Sequence, residues 1–210
     1  MLAFLKKYAF QIAISCLVLV MGVYLLYTYL WQPEAVPSVK DPAPNFQLND
    51  LDNNPVSLSD TNGKVRLVYF YFASCPDVCP PTTYLISEVQ EILREKGELG
   101  TKVELISITY DPEIDTPEVI TKFAQKVGVE FDHWTFLRGK NSEDAMELAR
   151  EFSVAVTYDK EAKTFYHMNP LVLVDKDGNI RDWINASPNI LAGDKELTAQ
   201  DVYKSLKQLY

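Results

Sequence analysis

The chain has 210 residues, 47% of them hydrophobic and 12% aromatic, which is enough apolar material for one ordinary domain whose core needs no disulfide staples. Lys6 and Lys7 are the only charged side chains before Glu34, so taking those two from the 20 basic residues leaves 18 against all 29 acidic ones, a net of −11 on the rest of the chain. An acidic surface of that size repels phosphate backbones and excludes nucleic acid as a partner.

From Tyr8 to Pro33 no residue is charged, and Ile, Leu, Val, Tyr, Ala and Phe dominate. As a helix, residues 8–31 rise about 36 Å, enough to cross a ~30 Å hydrocarbon layer. Tyr24, Tyr27, Tyr29 and Trp31 gather at its far end as an interfacial aromatic belt would. Lys6 and Lys7 precede the run, and the next positive residue is Lys40, so the positive-inside rule places residues 1–7 in the cytoplasm and the remainder outside the cell membrane. The run is long for a signal peptide and no small-x-small cleavage site follows it, so an uncleaved single-pass anchor is expected, with Cys16 as an apolar filler inside it. Residues 32–44, with Pro33, Pro37, Pro42 and Pro44, read as a semi-rigid tether, and the folded domain is expected over 45–210.

Asn45 to Leu48 and Val56 to Leu58 flank Asp52-Asn53-Asn54, which predicts an opening β-hairpin. Lys64 to Phe72 is almost continuously apolar, the mark of a central strand covered on both faces. Leu85, Val89, Ile92 and Leu93 recur at helical spacing, Lys102 to Tyr110 is a second buried strand, and Thr116-Pro117 starts another helix through Val127. Trp134 to Leu137 reads as a strand and Ala145 to Phe152 as a helix. Val154 to Tyr158 with Thr164 to Met168 form a second hairpin, and Leu171 to Val174 with Asn179 to Ile184 turn at Asp175-Lys176-Asp177-Gly178. Thr198-Ala-Gln-Asp201 caps a last helix. That order predicts an α/β, thioredoxin-like sandwich with an added N-terminal β-hairpin, preceded by one transmembrane helix.

The chemistry centres on Cys75-Pro76-Asp77-Val78-Cys79-Pro80, in a chain with only three cysteines. Pro80 and Pro81 lack amide protons, so they belong in the first turn of a helix that starts near Cys79. Both sulfurs then sit at the positive end of a helix dipole, which favours thiolate. Thiolate attacks disulfides and also binds metals, and the local physics leaves both jobs open. Three residues between the cysteines make a wider loop than the two usual in dithiol oxidoreductases of this fold, wide enough to turn both sulfurs toward a third ligand. The chain offers two histidines. His133, before Trp134, reads as a surface or capping residue. His167 precedes the strand that in such a fold faces the cysteine loop, with Pro170 beside it, and is the candidate third ligand. Two thiolates and an imidazole suit copper(I), tolerate copper(II), and leave zinc open.

Phe70-Tyr71-Phe72, two residues, then Cys75 to Pro80 resemble the signature of the SCO/SenC family, the membrane-anchored copper proteins of cytochrome c oxidase assembly. The resemblance extends to Asp111-Pro-Glu-Ile-Asp115-Thr-Pro117, to Trp134 to Gly139, and to His167 followed by Leu173 to Gly178. It covers nearly all of residues 42–210. It implies copper held by Cys75, Cys79 and His167, and delivery or thiol reduction at the binuclear copper centre of oxidase subunit II, with another copper chaperone or a thiol reductant as further partners. Such an assembly factor is not a turnover enzyme. Cys75 and Cys79 equally form a redox-active pair, so an extracytoplasmic thiol–disulfide oxidoreductase and a redox or copper sensor are the competing readings. Met168 departs from the family, where a small hydroxyl residue is usual, and is expected to pack rather than ligate. Asp77, Asp111 and Asp115 are candidates for groups beside the metal or for docking a partner, although Asp111 and Asp115 equally suit a helix-entry turn.

Overall fold

The computed structural model describes residues 2–30, 40–187 and 197–210. Residues 32–39 of the expected tether, and Trp31 of the aromatic belt, lie outside them. The chain divides into two units, 1–36 and 37–210. In the first, α1 (Leu2–Leu30) is one 29-residue helix, and its stretch Phe10–Tyr27 is uncharged and unburied. It is the one helix among the described residues long and apolar enough to cross a membrane. It begins upstream of residue 8, because Lys6 and Lys7 are good helix formers and nothing before them breaks the turn.

The second unit is built on an eight-stranded mixed sheet. Its strands are β1 (Asp41–Pro42), β2 (Gln47–Asn49), β3 (Pro55–Ser57), β4 (Val65–Tyr71), β5 (Val103–Thr109), β6 (Trp134–Arg138), β9 (Pro170–Val174) and β10 (Asn179–Asn185), in the spatial order β1-β10-β9-β4-β5-β6-β2-β3. A separate ribbon pairs β7 (Val156–Asp159) with β8 (Thr164–His167). Asp41 and Pro42, read as the end of the tether, instead pair with Ile180 and Asn179 at the sheet edge.

Every residue of β4 is buried, as its apolar run predicts for a central strand. The exception in chemistry is Arg66, fully buried, whose Nη1 donates to the carbonyls of Lys64 at 2.5 Å and Asp175 at 2.8 Å. β4, β5 and β6 run parallel, in register from Val65↔Val103 to Tyr71↔Thr109 and from Leu105↔Trp134 to Thr109↔Arg138. Parallel strands carry their C-terminal ends to one edge of the sheet. β9 runs antiparallel to β4, with Tyr69 opposite Leu171, so β9 starts at that same edge. The loop after β4 and the segment before β9 therefore meet. This juxtaposition brings residue 75 within reach of residue 167.

The helices are α2 (Cys79–Glu95), α3 (Pro117–Lys126), α4 (Ser142–Glu151) and α5 (Ala199–Lys207). α2 buries Cys79, Thr82, Ile86, Val89, Gln90 and Leu93, one face at helical spacing, and packs against α5. Thr116 caps α3 by accepting from the Val119 amide, and Thr198 with Asp201 forms a capping box on α5. The sequence placed these starts correctly because capping is local chemistry.

Candidate metal centre

Cys79 is the first residue of α2, where Val78 offers no side-chain cap and Pro80 follows. An ordinary helix exposes four unpaired amides at this end. Here Pro80 and Pro81 have none, and the backbone amides of Asp77 and Cys79 point to the Cys75 sulfur instead. The sulfur takes the place of a capping oxygen. The Cys75 thiol is held down at about 4, first by its hydrogen bond with the Cys79 thiol; burial opposes this, and His167 and the two amides reinforce it. Cys79 moves the other way, pushed far above the usual thiol range by the same bond to Cys75 and then by burial. The pair behaves as a thiolate holding its neighbour's proton.

Cys75 Sγ, Cys79 Sγ and a ring nitrogen of His167 all lie within 4.8 Å of one another, with both cysteines free thiols and buried. No other His, Cys, Asp and Glu residues come together in this way among the described residues. His167 Nε2 stands 3.9 Å from Cys79 Sγ, while Nδ1 lies 2.8 Å from the Met168 carbonyl oxygen. A carbonyl only accepts, so Nδ1 carries a proton, and Nε2 is the nitrogen that faces the sulfurs. The ring is held between Phe72, edge-on at 5.7 Å, and Tyr110 at 5.2 Å between centroids. Two soft sulfurs and one imidazole nitrogen converging from rigid supports fit a thiophilic ion such as copper(I).

The other predicted residues sit around this cluster in different ways. Asp77 is exposed on the loop between the cysteines. Asp111 is half-buried and its carboxyl lies above the usual range because of burial and then Glu113. Asp115 is fully buried: its Oδ2 accepts from the Ala73 amide at 2.9 Å and from the Thr109 hydroxyl, and burial raises its carboxyl. It thereby ties the end of β5 to the loop that carries Cys75. Its neighbour Thr116 caps α3. His133 lies outside the cluster, beside Glu104 at 3.4 Å and Asp132 at 3.6 Å. The expectation that Met168 packs is corrected, because its side chain is 59% exposed. Its amide bonds the Ala155 carbonyl, so ribbon alternation continues past His167: Phe165 and His167 turn inward, Tyr166 and Met168 outward.

Sequence reasoning missed Tyr69, Thr82 and Asn169. Tyr69 was absorbed in an apolar run, Thr82 lies ahead of the apolar helical stripe that starts at Leu85, and Asn169-Pro170 has the composition of an ordinary turn.

A family model described as SCO1/SenC matches residues 35–200. The chain belongs to the SCO1/SenC family. It is 31% identical over 156 residues to the SCO1 protein homolog of Bacillus subtilis (strain 168), covering 72% of this chain and 79% of that one. Among solved structures, BsSco, described with a disulfide switch and as a member of the Sco family of cytochrome c oxidase assembly proteins, superposes with a TM-score of 0.68 at 28% identity, covering 85% of this chain and 98% of that chain. Bradyrhizobium japonicum ScoI with copper bound gives a TM-score of 0.61 at 29% identity, covering 80% and 99% respectively. These likenesses carry the mixed α/β, thioredoxin-like architecture of this SCO1/SenC chain, and the family match over residues 35–200 includes both the cysteine loop and the histidine segment.

Proposed function

We propose that this chain is a copper-binding assembly factor for cytochrome c oxidase, with Cys75, Cys79 and His167 as the copper ligands and the binuclear centre of subunit II as the destination of the metal or of reducing equivalents. One observation carries the reading: three soft donors lie within 4.8 Å of one another, in a family one of whose relatives is described with copper bound. Copper is cargo here, and the protein's own contribution is to present two sulfurs and one fixed nitrogen. Ligation needs both sulfurs as thiolates and Nε2 free of a proton, so copper binding releases protons from the site. The β2–β3 ribbon we read as an addition to the thioredoxin-like frame.

Anaerobic titration of the reduced full chain in detergent tests this. One equivalent of copper is expected to bind, with sulfur-to-copper charge-transfer absorption for copper(II). Absence of such binding would overturn the reading. A thiol–disulfide exchange role is favoured by a separate observation, the opposed displacement of the two thiols, which marks Cys75 as the attacking sulfur.

α1 serves in this reading as an uncleaved anchor, holding 37–210 outside the cytoplasm. Mass spectrometry of the membrane-extracted protein is expected to find residues 1–30 still attached. A mature chain beginning at a lipid-modified Cys16 contradicts it.

A further inference from the structure

Asn169 is 2% exposed, two residues beyond His167, and every partner of its side chain belongs to a different element of the site. Its Oδ1 accepts from the Tyr69 hydroxyl of β4 at 3.0 Å. Its Nδ2 donates to Thr82 Oγ1 of α2 at 2.7 Å. Thr82, also 2% exposed, donates onward to the Ala186 carbonyl at 3.4 Å, and the Ala186 amide returns to the Asn169 carbonyl at 3.0 Å. The directions are forced. Thr82 Oγ1 has one proton, given to a carbonyl, so it accepts from an amide nitrogen, and the Asn169 oxygen is left for the Tyr69 phenol. The Tyr69 hydroxyl also meets the Cys79 sulfur, and burial holds the phenol neutral well past its ordinary range.

We infer that Asn169 and Thr82 form a buried clasp that fixes the His167 segment against the cysteine-bearing helix, so that they are positioning residues for the third ligand. The inference rests on the copper reading above. Its physical basis is that, among the described residues, the one polar contact of His167 itself with α2 is the long 3.9 Å approach of Nε2 to Cys79 Sγ. The β7–β8 ribbon that carries it is a separate two-stranded sheet, bonded within itself and not to the eight-stranded sheet, and two-stranded ribbons are marginally stable alone. The Phe72 and Tyr110 rings restrict how His167 tilts, but flat apolar contacts allow sliding. Directional bonds between buried polar groups do not, because breaking one leaves an unpaired donor or acceptor away from water. The clasp therefore sets the distance from Nε2 to the two sulfurs. Thr82 lies three residues along α2 from Cys79, so the residue that holds the histidine segment is on the same helical face as the sulfur the histidine must meet.

Copper(II) needs the nitrogen, whereas copper(I) is held by two sulfurs, so the two ions separate a positioning effect from a general one. In the full chain, Thr82→Val and Asn169→Leu are expected to weaken copper(II) by roughly 10- to 100-fold, the range seen when a group orienting a metal ligand is removed, while copper(I) changes by much less. Thr82→Ser, which keeps the hydroxyl, restores wild-type affinity. Adding Thr82→Val to His167→Ala produces no further loss, because the clasp acts only through the histidine. Before any metal is added, the His167 ring resonances of the reduced protein are expected to broaden or shift in Thr82→Val. Should Asn169→Leu fail to fold, Thr82→Val carries the test, since it exchanges one hydroxyl for a methyl. A lowered melting temperature with unchanged copper(II) affinity, copper(II) spectrum and ring resonances would overturn the clasp while leaving the copper reading intact. A wild-type chain that binds no copper overturns the copper reading, and the clasp's role with it.

Discussion

Cys75→Ser and Cys79→Ser are each expected to abolish sulfur-ligated copper binding by the reduced chain. A serine hydroxyl is hard and stays protonated at neutral pH, so either change leaves one sulfur and one imidazole, too few soft donors to compete for copper(I). The two variants are nevertheless not equivalent in the metal-free protein. Cys75 is the thiolate, at about 4, and its leading support is the hydrogen bond from Cys79. Within the pair, thiol alkylation of the wild type is therefore expected to label Cys75 before Cys79 and to persist at Cys75 well into the acid range, while Cys79, with no exposed surface, stays protected. In a Cys79→Ala chain that support is gone, and the pH midpoint for labelling Cys75 should move upward. Tight, sulfur-ligated copper in either serine variant would show the ligand set to be wrong.

What the sequence revealed, and what it hid, follows from the range of the forces involved. The start of α2 was legible because Pro80 and Pro81 fit only in a first turn, and the starts of α3 and α5 because Thr116 and Thr198 cap locally. The central strands β4, β5 and β9 were legible because burial on both faces leaves runs dominated by apolar residues, interrupted only by Arg66 in β4 and by Glu104, Ser107 and Thr109 in β5. The clustering of Cys75, Cys79 and His167 depends on a residue 88 positions from Cys79. Spacing alone does not give it; it needs β9 laid antiparallel beside β4. Asp115 shows the other limit. In sequence it is a turn residue before a helix, and only the fold shows its carboxylate turned inward to the Ala73 amide behind the cysteine loop. Met168 was misread because an apolar side chain suggests packing, whereas its strand parity, set by His167 facing inward, turns it to solvent.

His167→Ala is the substitution that separates the competing functions. The change removes the ring between Phe72 and Tyr110 but leaves the Asn169 and Thr82 bonds, which involve neither ring nitrogen, so the fold is expected to survive. The two sulfurs remain within reach of each other and still hold copper(I) in a linear arrangement. Copper(II) loses its one nitrogen donor, and its affinity is expected to fall by more than tenfold, or ~1.4 kcal/mol. Sulfur exchange depends on Cys75 being a thiolate, for which His167 is a lesser cause than Cys79, so the dithiol should still oxidise and reduce. Cells carrying the variant are then expected to lose oxidase assembly while ordinary disulfide handling continues, because the metal step needs the imidazole as a donor whereas exchange rests mainly on the Cys75–Cys79 pair. Unchanged copper affinities together with intact oxidase assembly would remove His167 from the ligand set and make thiol–disulfide exchange by Cys75 and Cys79 the better account of what this site does.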